Sequence, residues 1–226
     1  MTSHSKRDNR TIRRHDLVLV SPAAWRSLLQ RHDDLAGEPL VIEWVDRGWP
    51  LITRRAMHGE ADGLPLGLPL PPFAGKRRLS FLMQPDDIVA TARPLQLSST
   101  IDVAPEPWRH TLDQVAELAS RHGVEARVFG SLAWQTLTGL DYLSAGSDLD
   151  LLLSFPPGGD HAGLTAGLAA IEAAAPMRLD GEITRDDGAG VNWRELHTGA
   201  RQVLVKHPGD VALLDISLFL NGGIQS

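Results

Sequence analysis

The sequence predicts a mixed α/β (α+β) protein in two parts, a smaller mixed N-terminal domain over residues 1–105 and a larger domain over residues 106–226. Three observations lead there. From His110 onward, segments with helical spacing alternate with short apolar runs, the pattern of helices layered on one sheet. Ahead of them lie strand-like runs set between turn residues, and a tract too rich in proline for helix. Between the two, the stretch IDVAPEPW breaks the composition, and Pro105 and Pro107 read as a linker.

Taken in order, residues 1–14 are polar and basic and read as a flexible arm. LVLV is a short apolar run. Ser21-Pro22 then opens a helix, with proline at a position where its missing N–H costs nothing. PLVIEWV and WPLITRRA, separated by Asp46-Arg47-Gly48, are predicted as the two strands of a hairpin. Across GLPLGLPLPPFAGKRRLSFLM proline excludes helix, and RLSFLM is the strand. In the second half HTLDQVAELASRHG is an amphipathic helix ending at Gly123, EARVFGS a strand, SLAWQTLTG a helix and SDLDLLLSF a strand. HAGLTAGLAAIEAAAP is an Ala-rich helix stopped by Pro176. MRLDGEITR, RQVLVKH and VALLDISLF are further strands, or a strand and a helix.

The 226 residues are enough for a real core, and 42% hydrophobic with 22% charged residues is ordinary globular composition. A net charge of −6 argues against a sequence-independent grip on nucleic acid, which needs a basic surface. With no cysteine, disulfides and thiolate metal sites are excluded, and the scattered histidines give no zinc spacing. The N-terminus lacks the apolar core of a signal peptide, and no window approaches the roughly eighteen apolar residues of a membrane span. A cytoplasmic protein without membrane contact is the expectation.

The chemistry concentrates in RVFGSLAWQTLTGLDYLSAGSDLDLLLSF. Gly130-Ser131 stands where a strand hands over to a helix, a place where a phosphate can approach bare backbone and free N–H groups. Asp148 and Asp150 flank Leu149 at the mouth of a strand, so alternation puts both carboxylates on one face. Such a pair suits Mg²⁺ (or Mn²⁺), which takes oxygen ligands and completes its shell with water and phosphate. Phosphate donors beside a two-carboxylate metal seat describe phosphoryl or nucleotidyl transfer. Asp180 and Glu182, two apart in MRLDGEITR, both qualify as a third metal carboxylate, and spacing does not choose between them. Lys206 in VLVKH can neutralise a triphosphate or guard a sheet edge. Arg54, Arg55 and the cluster Lys76, Arg77, Arg78 are basic spots in an acidic chain, available to phosphates or to an acidic protein face. Trp134 and Trp193 are core or pocket-wall residues.

Gly-Ser, a helix and then Asp-hydrophobic-Asp in a strand resemble the nucleotidyltransferase superfamily that includes DNA polymerase β. The fuller wording VFGSLAWQTLTGLDYLSAGSDLDLLL, RLDGEI, VNWREL and VLVKH is similar to malonate decarboxylase holo-[acyl-carrier-protein] synthases, the phosphoribosyl-dephospho-CoA transferases. RRHDLVLV, PLITRR, PLGLP and GKRRLSF extend the likeness over nearly the whole chain. The resemblance implies a polymerase-β-like catalytic domain and, as donor, 2′-(5″-triphosphoribosyl)-3′-dephospho-CoA. The acceptor would be a serine of the apo acyl carrier subunit of malonate decarboxylase, with diphosphate released. It further implies that Asp148 and Asp150 bind Mg²⁺ and that Gly130 and Ser131 cradle the β/γ-phosphates. The smaller N-terminal domain would bind donor or carrier. Two other functions fit the residues: an NTP-dependent nucleotidyltransferase acting on a small molecule or RNA, and a non-catalytic nucleotide-binding module with structural aspartates.

Overall fold

Helix–strand alternation in the second half and short antiparallel pairings in the first build two separate sheets. A computed structural model describes residues 12–60, 62–156, 158–207 and 209–221. Most of the arm expected over residues 1–14 therefore lies outside the described residues. The fold divides between Arg93 and Pro94.

In the first unit, β1 (Leu17–Val20) leads through Ser21 into α1 (Pro22–Leu29). The Ser21 hydroxyl accepts the Ala24 N–H at 3.1 Å and Pro22 occupies the first turn, as the sequence suggested. The expected hairpin is replaced. PLVIE forms α2 (Pro39–Glu43), and only its partner run yields a strand, β2 (Leu51–Thr53). The reason lies in Glu43. A strand burying Val41 and Val45 would carry Glu43 into the core between them. The helix and the turn that follows it instead bury Val41, Trp44 and Val45 at three- and four-residue spacing and leave Glu43 outside, 2.7 Å from Arg47. The Trp44 indole N–H donates to the Pro50 carbonyl at 2.9 Å, and that of Trp25 to the Val41 carbonyl at 3.0 Å.

GLPLGLP adds a strand where the sequence reading gave only non-helix. β3 (Leu64–Pro69) buries Leu66 and Leu68 and pairs along its length with β4 (Arg78–Met83). With β5 (Ile88–Ala92) the antiparallel sheet runs β4-β3-β2-β1-β5. Arg93 closes this unit by reaching buried Asp16 with one guanidinium nitrogen at 3.0 and 2.9 Å from the two carboxylate oxygens.

Leu95–Gln96 already form β6 of the second sheet, so the boundary falls ahead of residue 105. Pro105 and Pro107 do not link domains: Pro105 caps α3 (Glu106–Arg121) and Pro107 sits in its first turn. Then follow β7 (Glu125–Phe129), α4 (Gly130–Thr138), β8 (Leu149–Ser154), α5 (His161–Ala174), β9 (Leu179–Thr184), β10 (Gly190–Asn192), α6 (Trp193–His197), β11 (Gln202–Lys206), β12 (Val211–Asp215) and α7 (Ile216–Leu220). The sheet order is β12-β11-β10-β9-β8-β7-β6. Every neighbouring pair is antiparallel except β8 and β9, which are parallel and joined through α5. Leu149, Leu151, Leu153, Leu179, Ile183, Val191, Val203 and Val205 are buried, and Trp108, Leu112, Val115 and Ala119 of α3 join the same core. Among the described residues, no helix is long and apolar enough to cross a membrane.

In the first unit, Arg54 is held by Glu60 at 2.7 and 2.6 Å and also donates to the carbonyls of Arg55 and Leu66. The Arg54 hydrogen bonds, helped by the Met57 N–H, pull the Glu60 carboxyl down to about 2. A carboxyl depressed in the folded state stabilises above its unfolded pKa and loses that contribution as pH falls through its folded value. Glu60→Gln should therefore lower the Tm at pH 7, with the gap to wild type shrinking steadily as pH falls from about 4.5 towards 2, read by calorimetry across that range.

Candidate active site

The second sheet has one apolar face and one polar face, and strand alternation assigns the residues to them. Leu149 is fully buried between half-buried Asp148 and Asp150. Asp150 stands opposite Phe129 on the antiparallel neighbour and opposite Asp180 on the parallel one. Glu182 follows Asp180 on the same face, across from Asn192, and Gly190 of that strand lies across from Lys206. Asp150, Asp180, Glu182, Asn192 and Lys206 thus share one face over four adjacent strands.

Gly130 is where backbone geometry and packing meet. Its φ of +67° is left-handed, and a Cβ placed there would sit 1.8 Å from Oδ2 and 2.6 Å from Cγ of Asp150. The carboxylate of Asp150 therefore packs against the bare first residue of α4, and any side chain there would have to displace it. Ser131, half-exposed, is the next residue of that first turn. Among the described residues, the structure brings Gly130 and Asp150 into contact.

The loop from α4 to β8 is tied back to the helix. The Gln135 side-chain oxygen accepts the N–H groups of Tyr142 and Leu143, each at 3.2 Å. The Ser147 hydroxyl accepts the Ser144 N–H at 2.9 Å. Tyr142 is buried with its ring centroid 6.3 Å from that of Trp134, and burial pushes its hydroxyl pKa up, so it stays protonated.

The two acids on β9 have different company. Asp180, with 42% of its side chain exposed, accepts from the Asn192 amide at 3.1 Å and lies 3.9 Å from Arg194. Asn192 also caps α6, its oxygen accepting the Arg194 N–H at 3.0 Å. Glu182 is buried and paired with Lys206 at 2.6 Å. A Cβ on Gly190 would lie 3.4 Å from the Glu182 carboxylate, at the limit of ordinary contact. Lys206 is not an edge lysine, because β12 lies outside it. The Asp180-Gly181 pair makes no turn; it runs straight through β9. Among the described residues, no three His, Asp or Glu side chains stand together as a ready-made metal cage.

Residues that sequence reading passed over complete the surroundings. Arg194 stacks over Trp193, 4.7 Å from the ring centroid, and bonds to Glu172, which also accepts the Leu179 N–H at 2.8 Å. A cleft of about 480 Å³ is lined by Glu172, Ala175, Pro176, Met177, Arg178 and Arg194. The Arg178 carbonyl at its wall accepts the N–H of Leu149 at 2.9 Å. Asn192 ahead of WREL was a legible helix cap; nothing in the spacing announced the Arg194–Glu172 contact. Trp193 is buried, and its indole N–H donates to the Leu179 carbonyl at 2.9 Å.

Comparison with known proteins matches both units. A phosphoribosyl-dephospho-CoA transferase MdcG N-terminal domain matches residues 13–94, and the C-terminal domain of the same transferase matches residues 96–216. The chain belongs to the phosphoribosyl-dephospho-CoA transferase family. It is 51% identical to the phosphoribosyl-dephospho-CoA transferase of Bradyrhizobium diazoefficiens over 226 residues, 100% of both chains. The Xanthomonas campestris pv. campestris relative of that name is 39% identical over 179 residues, 78% of this chain and 84% of the other. A Pseudomonas putida relative is 31% identical over 187 residues, 78% of this chain and 89% of the other. No solved structure matches. The family makes this protein an enzyme, a transferase.

The two-part role of Gly130 is separable. Gly139, at φ +71°, has nothing within 4 Å of an added Cβ, so Gly139→Ala should cost only the left-handed backbone penalty of about 1–2 kcal/mol. Gly130→Ala should cost more by denaturant unfolding and should displace the Asp150 carboxylate in a crystal structure of the variant.

Proposed function

We propose that the enzyme transfers the phosphoribosyl-dephospho-CoA group from 2′-(5″-triphosphoribosyl)-3′-dephospho-CoA to a serine of the apo acyl carrier subunit of malonate decarboxylase. The observation that carries this reading is the contact between Gly130 and Asp150, which sets a helix N-terminus beside a strand carboxylate. The family of the chain supports the donor, and the order β7, Gly-Ser helix, Asp-Leu-Asp strand supports a polymerase-β-like catalytic unit.

The serine oxygen attacks the α-phosphorus of the donor. A new P–O bond forms, the α–β bridging P–O bond breaks with its electron pair, and diphosphate leaves. The hydroxyl proton passes to the half-exposed carboxylate of Asp180 or to water. Gly130, Ser131 and the first turn of α4 hold the departing β/γ-phosphates with backbone N–H groups and the serine hydroxyl. Asp148 and Asp150 would hold Mg²⁺ (or Mn²⁺); two carboxylates suit an ion that draws its other ligands from phosphate and water. When bound, that ion polarises the α-phosphate and offsets charge on the leaving group. Asp180 is our choice as third carboxylate because it faces Asp150 directly, whereas Glu182 is held by Lys206. Lys206 shares its charge between Glu182 and the triphosphate. The cleft beside Arg178, at about 480 Å³, is of a size that accepts the nucleotide part of the donor.

Incubation of the purified enzyme with donor, Mg²⁺ and apo carrier should add the mass of the prosthetic group to the carrier and release diphosphate. Asp148→Ala and Asp150→Ala should each slow this by about a thousandfold, the several kcal/mol that metal stabilisation supplies. An unmodified carrier with wild-type enzyme, or turnover of ordinary nucleoside triphosphates in its place, would overturn the reading.

The same assay separates the β9 acids. Asp180→Asn should abolish most of the transfer with little change in Tm. Glu182→Gln should stay within about tenfold of wild-type rate yet lower the Tm, because it removes the charged partner of Lys206.

A further inference from the structure

The turn joining β3 to β4, PPFAGKRR, lies outside the site described above and combines an exposed aromatic ring with cations. Phe73 is the most exposed large hydrophobic side chain among the described residues, with 68% of its surface open. Lys76, Arg77 and Arg78 follow it, all exposed. Arg77 is bonded to Glu38, while Lys76 and Arg78 form no ion pair among the described residues.

This turn is held in shape. Its backbone N–H groups at Ala74, Gly75 and Lys76 donate to the carbonyls of Pro71, Pro72 and Pro71 at 2.9, 3.0 and 3.1 Å, and Leu70 donates to Arg77 at 2.8 Å. Gly75 and Lys76 are both left-handed, at φ +87° and +53°. That backbone suits glycine or asparagine better than lysine, so the lysine side chain is kept at a conformational cost. Arg78, on an outer strand of its sheet, is accounted for as a guard against edge pairing. That account leaves out Phe73 and Lys76. A lone exposed apolar residue is ordinary; one fixed on a rigid turn among three cations, in a chain of net charge −6, is a specific surface.

We propose that this turn docks the protein acceptor, with Phe73 entering an apolar recess of the partner and Lys76 and Arg78 meeting carboxylates around it. An exposed hairpin turn enters a recess and does not enclose a small molecule, which favours a protein face over the nucleotide. An acidic partner is repelled by the molecule as a whole and attracted here, which fixes its orientation as well as its place. The inference rests on the acceptor being the carrier subunit.

The test measures transfer kinetics and direct binding of apo carrier for wild type, Phe73→Ala, and Lys76→Gly combined with Arg78→Glu. Lys76→Gly retains the left-handed turn and removes the side chain with its charge. Phe73→Ala should raise the KM for carrier about tenfold, with the KM for donor and the kcat at saturating carrier unchanged. The charge variant should do likewise and should lose the weakening that wild type shows between about 50 and 200 mM salt. If wild type transfers and both variants keep its carrier KM, the docking surface is overturned; a rise in donor KM alone overturns it in favour of a nucleotide contact. Carrier binding without transfer, weakened by Phe73→Ala, upholds the surface and removes the transfer reading. Neither binding nor transfer by wild type removes both.

Discussion

A carboxylate near the start of a strand that otherwise reads Leu-Leu-Leu must find a place of its own, and Asp150 packs against the bare backbone of Gly130. The two positions interlock. The left-handed turn out of β7 puts the start of α4 against β8, and the Phe129–Asp150 pairing fixes the register that makes the contact possible. From there the helix, the loop strung on Gln135 and the strand it returns to follow as one local unit. An ionised group buried without compensation costs several kcal/mol, and Asp150 is only half-buried.

The remaining charges on that face are managed in pairs. Asp180 rests on Asn192, which in turn starts α6; Glu182 rests on Lys206, whose strand position faces Gly190. The opposite face is aliphatic throughout and closes on α3 and α5. A strict two-residue alternation therefore lets one sheet hold a sealed core and a row of ionisable groups a single pleat apart.

Much of this was legible in the sequence, and the failures have physical causes. The helices and strands of the second unit could be read because Gly123, Gly139 and Pro176 punctuate them and their apolar spacing is regular. PLVIEWV misled because β-branched residues favour strands; the position of Glu43 within it was the overlooked signal. β3 was hidden by its prolines, tolerated where the partner strand is short. Pro105 and Pro107 mark a helix start as well as they mark a linker, and composition alone does not distinguish the two. The Asp148–Asp150 motif and Gly130 could be picked out from residue type and spacing, whereas the Gly130–Asp150 contact, the Glu182–Lys206 pair and the role of Asn192 depend on strand order. Strand order is a long-range property that a local reading does not supply.

The parallel pairing of β8 with β9 has a consequence for how the molecule comes into being. Antiparallel neighbours can zip from a short turn, but a parallel pair must wait for its crossover, here α5, to fold and dock. During synthesis Asp148 and Asp150 leave the ribosome well before Asp180 exists as a neighbour. A nascent chain that stops short of β9 therefore lacks the strand that pairs with β8, and the acidic face has no Asp180 opposite Asp150 until α5 and β9 have been made.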